Sequence, residues 1–397
     1  MSKKILVVTL IIYLLSAVAS FTVFSAMNKT KMQQSEQDGG TTGTDEETML
    51  GALLEIDPAE AKDQPCPING KMFTNTERQA WEKRRPLAVM IENAPDARPQ
   101  SGLSDADVIF EIVAEGAVTR FMGIFYCGVQ AYDTTLAPVR SARTYFLDYA
   151  SGFNYPLYVH VGGANLPGPT DALGQINDYG WALENDVNQF SVGYPTFVRN
   201  ANRLGKDVAT EHTMETTTEK LWKVGVDREW TNMSPERKVG RTVVAGKDWK
   251  EGFKGWKFYD ELPAKGTVNK ISHEFWTGYG QYAVVWDFQT GTNTYKRTMG
   301  GEAHVDLNNK KQIEATNIVL ILTTEKGPLN ENKHMLYGTT GTGDALVFTN
   351  GTAAKVKWSK PTREAELRFV DAKGQDISLN RGLTWISVVD TSTEVTY

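Results

Sequence analysis

The chain has 397 residues, 41% of them apolar, with ten tryptophans and a formal net charge of −6. That length suits two or three domains with sizeable cores. The acidic balance, with no basic run beyond Lys83-Arg84-Arg85, excludes a nucleic-acid surface, because phosphate binding needs a basic field.

In chain order the first feature is Lys3-Lys4 followed by the uncharged run ILVVTLIIYLLSAVASFTVFSAM, residues 5–27. As a helix this run rises about 35 Å, enough to cross a hydrocarbon core of about 30 Å. Two readings compete: an uncleaved signal-anchor over residues 1–28, or a signal peptide cut after Ala17-Val18-Ala19. The apolar run continues past that site through Phe21, Val23 and Phe24, so the anchor is preferred. The expected location is a single-pass cell-membrane protein with its folded part outside the cytoplasm. No cysteine follows the run, which argues against lipidation. Residues 29–64 read as an acidic tether, since MQQSEQDGGTTGTDEET (32–48) has too little apolar surface to offset chain entropy. Cys66 and Cys127 pair in an oxidising compartment or stay unpaired; the sequence leaves both open. Neither lies in a CxxC, which excludes a redox motif or a four-cysteine zinc site.

Residues 65–225 mix strand and helix signals. Leu87–Ile91, Asp107–Val113, Phe121–Tyr126 and Leu157–Val161 read as strands, with a hairpin connection over Glu115–Arg120. Ala142–Ala150 reads as a helix capped by Ser141, Asp171–Tyr179 as a short helix, and Thr213–Val224 as a helix burying Leu221 and Trp222. Residues 226–245 form a connector. From 246 to 397 the period is mostly two. Gln281–Phe288 and Thr294–Met299 flank a hairpin signal, Asn317–Thr323 is an apolar strand, and Asn350-Gly351, Lys373-Gly374 and Arg381-Gly382 punctuate further strands. The fold class expected is α+β: a mixed α/β domain, then a β-rich domain, preceded by one transmembrane helix.

The strings RPLAVMIENAPDARPQSGLSDADVIFE (85–111), TRFMGIF (119–125), APVRSARTYFLDYA (137–150) and YVHVGG (158–163) resemble the N-terminal domain of the YerB-like envelope protein family. GTGDALVFTNG (341–351) with GLTWISVV (382–389) resembles that family's C-terminal domain. The resemblance covers roughly residues 65–225 and 270–390. It implies an envelope location and this domain layout, and it implies no reaction. The family is typically secreted or lipid-anchored, and this chain departs from it in having a spanning run and no lipidation cysteine.

Arg140 and Arg143 stand three apart where a helix begins, the end that carries partial positive charge. One reading is an anion site built from guanidinium forks and free N–H groups, with the arginines lacking an internal counter-ion. The other is internal salt bridges to Glu111, Glu115 or Asp148. Glu115 and Arg120 bracket the hairpin and are expected to face each other. Glu111 and Glu115 share a face in a regular strand, with Cα atoms about 13 Å apart, long for a glycosidase pair unless a bulge alters the spacing. His160 ends a strand before Gly162-Gly163, where ligands of open α/β sheets bind. His212 precedes a helix, and Arg98 follows a strand in a Pro95 turn. Ser141 lacks any GxSxG or SxxK context and reads as a cap. Gly341-Thr342-Gly343 lacks a phosphate-loop ending and reads as a turn. The aromatics of 253–286 read as core rather than a sugar-stacking surface. No HExxH or comparable cluster exists, so neither metal nor cofactor is expected.

The functional expectation is therefore binding of an anionic envelope ligand, a peptidoglycan or wall-polymer fragment, by Arg140, Arg143, His160, His212, Arg98, Glu115 and Arg120. The rival readings are a wall hydrolase with Glu115 or His160 as acid/base, and a scaffold that recruits envelope proteins through an exposed apolar patch on the β-rich part.

Overall fold

The computed structural model describes residues 54–239 and 242–397. The apolar run 5–27 and most of the tether lie outside the described residues. Among the described residues no helix is long and apolar enough to cross a membrane.

Helix α1 (Asn75–Trp81) starts at a capping box: Thr74 accepts from the Glu77 N–H, and the Glu77 carboxylate accepts from the Thr74 N–H. Strands β1 (Leu87–Glu92), β2 (Val108–Glu115) and β3 (Val118–Phe125) follow. Next come α2 (Thr144–Ser151), β4 (Leu157–His160), α3 (Ala172–Asp178), β5 (Asp186–Asn188) and α4 (Thr218–Asp227). The remainder is strands: β6 (Lys270–His273), β7 (Val284–Gln289), β8 (Thr294–Met299), β9 (Asn317–Thr323), β10 (Gly341–Thr349), β11 (Thr352–Lys360), β12 (Arg368–Val370) and β13 (Thr384–Asp390). The fold is mixed α+β with few helices, and its C-terminal region is β-rich.

Ten strands from both segments hydrogen-bond into one sheet, in the order β12-β11-β10-β9-β13-β2-β3-β1-β4-β5. The seam is the parallel pair β13–β2, which runs from Thr384↔Val108 to Val388↔Ile112. β9, β13, β2, β1, β4 and β5 all run the same way, with β3 antiparallel between β1 and β2. Both faces of β2 are covered, so it reads as a continuous apolar run rather than an alternating one. On one face Phe110 stacks on Tyr149 of α2, with ring centroids 4.9 Å apart. On the other, Phe121 and Trp385 meet edge to face at 5.4 Å, and Trp286 of the second sheet packs on Trp385. That second sheet is built on β6, β7 and β8. The expected aromatic core of 253–286 is present in part: Phe275, Tyr282 and Trp286 are buried.

Three local readings differ. The cap of α2 is Arg143, extended at φ −136° and ψ 148°, and no side chain caps it, so Ser141 is not the N-cap. Thr213–Val224 splits into a strand, Met214–Thr217, and then α4, because Thr216 and Thr217 pair with Leu136 and Thr135. Thr217 becomes the helix cap, accepting from the Lys220 N–H. Gly341-Thr342-Gly343 opens β10 rather than forming a turn. Gly343 is required there because a Cβ would lie 2.4 Å from Trp358 Nε1. The two cysteines are joined, Cys66 to Cys127, with Cα atoms 5.9 Å apart.

Candidate functional site

The ends of β1, β2, β4 and β5 place Glu92, Glu115, His160 and Asn188 along one edge of the sheet. In open α/β sheets this carboxyl edge is where ligands sit. Over it lies a hollow of about 490 Å³, lined among others by Arg140, Gly162, Gly163, Asn188, Phe190 and Arg199.

Beneath the hollow is a charged network. Arg143 Nε donates to Glu115 Oε2 at 3.0 Å, and its Nη1 donates to the Ala142 carbonyl. Arg120 Nη2 donates to Glu115 Oε1 at 2.7 Å, confirming that these two face each other across the hairpin, and its Nη1 donates to the Ser141 carbonyl. Arg140 Nε lies 3.1 Å from Glu92 Oε1, and His212 Nδ1 is hydrogen-bonded to Glu92 Oε2 at 2.8 Å. The premise that the arginine pair lacks an internal counter-ion therefore fails: Glu92 and Glu115 supply one each. The physical reason is the return of β1 and β2 to the same edge, which the spacing of the arginines alone does not reveal.

The two arginines differ in access. Arg143 is closed in, at 8% exposure. The Arg140 side chain is 26% exposed, and no hydrogen bond from its guanidinium is found among the described residues, the Nε facing Glu92 included. Across the network and its rim four guanidiniums (Arg120, Arg140, Arg143, Arg199) face three carboxylates (Glu92, Glu115, Glu211). His334 is brought beside Glu115 by a backbone bridge, and burial and then Arg143 push its imidazole down. At the rim, Arg199 donates to the Thr210 carbonyl and Glu211 is exposed.

Burial pushes the Glu115 carboxyl up, but Arg120 and Arg143 outweigh it and hold it at about 2. A carboxylate so anchored is ionised and is not a proton donor near neutrality. His160 is fully buried. Its Nδ1 is 2.7 Å from the Gly162 carbonyl, which can only accept, so that nitrogen carries a proton; its Nε2 bonds Asp186 Oδ1 at 2.6 Å. His160 fixes the Gly162 loop and touches no solvent. Glu111 does not share a face with Glu115, because the β2–β3 register shifts between Val113 and Glu115. Glu111 points to the other layer, bonding Arg297 and Trp385. Arg98 is spent on Asn93 and the Gln281 carbonyl and lies over the Tyr282 ring. The structure thus gathers Arg140, Arg143, Arg120, Glu115, His160 and His212, and leaves Arg98 in a separate loop contact.

Three site residues escape the sequence reading. Glu92 closes β1 and was legible as a strand-terminal acid. Asn188 Oδ1 accepts from both the Gly162 and Phe190 N–H groups, at 3.2 and 3.1 Å. Phe190 stands 75% exposed at the mouth of the hollow.

A family model described as the N-terminal domain of a protein of unknown function (DUF3048) matches residues 73–231, and its C-terminal counterpart matches 274–386. The Bacillus subtilis (strain 168) protein named "Putative lipoprotein YerB" is 26% identical over 338 residues, covering 84% of this chain and 88% of that protein. The chain belongs to this YerB-like family. A crystal structure of YerB from Bacillus subtilis matches 84% of this chain and 100% of its own, with a TM-score of 0.65 at 23% identity. That likeness shows a shared fold. The matched segments contribute strands on both sides of the β13–β2 seam, so the family's two domains meet in one sheet here.

Proposed function

We propose that this is a membrane-anchored, extracytoplasmic envelope protein that binds an anionic wall ligand in the hollow above Arg140. The location rests on the apolar run 5–27 and on a relative named as a lipoprotein. The observation that carries the binding reading is Arg140: it is partly open to the hollow, its guanidinium makes no hydrogen bond among the described residues, and it belongs to a network with one more guanidinium than carboxylate, the rim included. A carboxylate or phosphate arriving there completes the charge balance, and Arg199 stands at the rim to share it. Arg143 and Arg120 act behind it, holding Glu115 and the Ala142–Ser141 backbone in place. His160 is a positioning residue for the Gly162 loop.

Isothermal titration of the full-length protein in detergent against carboxylated wall fragments tests this. Arg140→Gln/Arg199→Gln is expected to weaken binding at least tenfold. Unchanged affinity in a folded double variant removes the site. The acid/base alternative has lost its best candidates, since Glu115 is doubly ion-paired and His160 is sealed.

A further inference from the structure

The hollow carries a feature that an anion alone does not need. Phe190 is an aromatic side chain left 75% exposed, although burying such a ring is worth about 2 kcal/mol. Its position is fixed from two sides. Its backbone N–H is held by Asn188, which starts the short helical turn Gln189–Val192. One edge of the ring lies against Gly162, where a Cβ would come within 3.0 Å of Phe190 Cε2. Gly162 has φ +58°, a conformation that favours glycine, and the same Asn188 oxygen accepts from its N–H. His160 holds the other side of that loop through the Gly162 carbonyl. The ring thus lines the same hollow as the Arg140 guanidinium, with most of its surface open to solvent.

Resting on the anion-site reading above, we infer that the ligand is a carboxylated pyranose sugar: its carboxylate meets Arg140 and the C–H face of its ring stacks on Phe190. A flat apolar face and a guanidinium lining one hollow match the ring and the acid of such a sugar. An inorganic anion uses only the arginine. A peptide, the other class with both features, would draw on main-chain pairing, and β5 offers only three residues as an edge strand.

The test dissects the ligand. The full-length protein is titrated with N-acetylmuramic acid, with N-acetylglucosamine (the ring without the acid), with D-lactate (the acid without the ring) and with an acidic tetrapeptide. The acidic sugar is expected to bind tightest. Phe190→Ala is expected to weaken it about tenfold and to leave D-lactate unchanged, while Phe190→Trp retains it. Equal affinity for D-lactate and the acidic sugar, insensitive to Phe190→Ala, overturns the stacking role and leaves the anion site standing. Tight binding of the tetrapeptide with none of the sugars overturns the ligand class. Binding of no acid at all, with the protein folded by circular dichroism, defeats both readings together. Phe190 is exposed, so its substitution does not put folding at stake.

Discussion

Two arginine–carboxylate networks sit on opposite faces of the same sheet, and they contrast in one respect. Glu111 and Arg297 are fully buried between the two sheets, 2.7 Å apart. Around them Thr119 donates to Glu111, Arg297 Nε donates to His304 Nδ1, His304 Nε2 bonds Gln100, and the guanidinium, whose Nη1 makes no hydrogen bond among the described residues, lies over Trp286 and Trp385. Burial pushes Arg297 down to about 10 even beside its carboxylate. The ion pair is sealed, and Arg98 is a further guanidinium whose charge reaches both of its members. At the carboxyl edge, by contrast, four guanidiniums meet three carboxylates when Arg199 and Glu211 at the rim are counted, and Arg140 opens on a hollow. The same chemistry is a clamp where it is sealed and dry, and a receptor where it is open and wet.

The largest expected effect lies in the closed network. Glu111→Gln leaves Arg297 buried without its partner and is expected to cost about 4 kcal/mol in urea denaturation. The double variant Glu111→Gln/Arg297→Met is expected to recover much of that loss, because both charges leave together. If it recovers nothing, the clamp is not a charge pair in energetic terms.

Next is Glu115→Gln, at about 3 kcal/mol at neutral pH, from a carboxyl held near 2 against an unfolded value of about 4.3. Its folded pKa is depressed, so the stabilisation is full above about pH 4.3 and is lost as pH falls towards 2. Denaturation followed from pH 6 to pH 2 is expected to show that loss in the parent and not in Glu115→Gln.

Arg140→Gln sharpens the contrast. Glu92 keeps its bond to His212, so the stability cost is expected to be about 1 kcal/mol, while anion affinity falls at least tenfold. A stability loss matching that of Glu111→Gln would make the edge network a second clamp. The smallest effect belongs to Glu211→Gln. The exposed Glu211 carboxylate is lowered by its own backbone hydrogen bond, with Arg140 and Arg199 among the charges that lower it further, so it competes with an arriving anion. Removing its charge is expected to leave melting unchanged and to tighten anion binding about threefold.

The strands were legible because local pattern decides them. Leu87–Glu92 and Asn317–Thr323 are apolar runs of strand length, and Asn350-Gly351, both at positive φ, makes the β10–β11 turn. The edge hydroxyls of Met214–Thr217 were misread because pairing with Leu136 overrides a helical pattern. Arg140 and Arg143 were legible as an anomaly, since cations stand at a helix start. Their partners were not, because Glu92 and Glu115 reach them only after β1 and β2 are set side by side. The bulge at Val113 turned Glu115 away from Glu111, and a one-residue register shift leaves no trace in composition. Phe190 was invisible as a site residue because exposure is a tertiary property; only its neighbours Asn188 and Gly162 hinted at a built loop.

The central claim is that the hollow over Arg140 is a ligand site. The most direct measurement is a crystal structure of the protein soaked with N-acetylmuramic acid. The expected result is the carboxylate against the Arg140 guanidinium and the sugar ring on Phe190. A sugar bound elsewhere with this hollow empty, or a hollow that stays empty at saturating ligand, contradicts it.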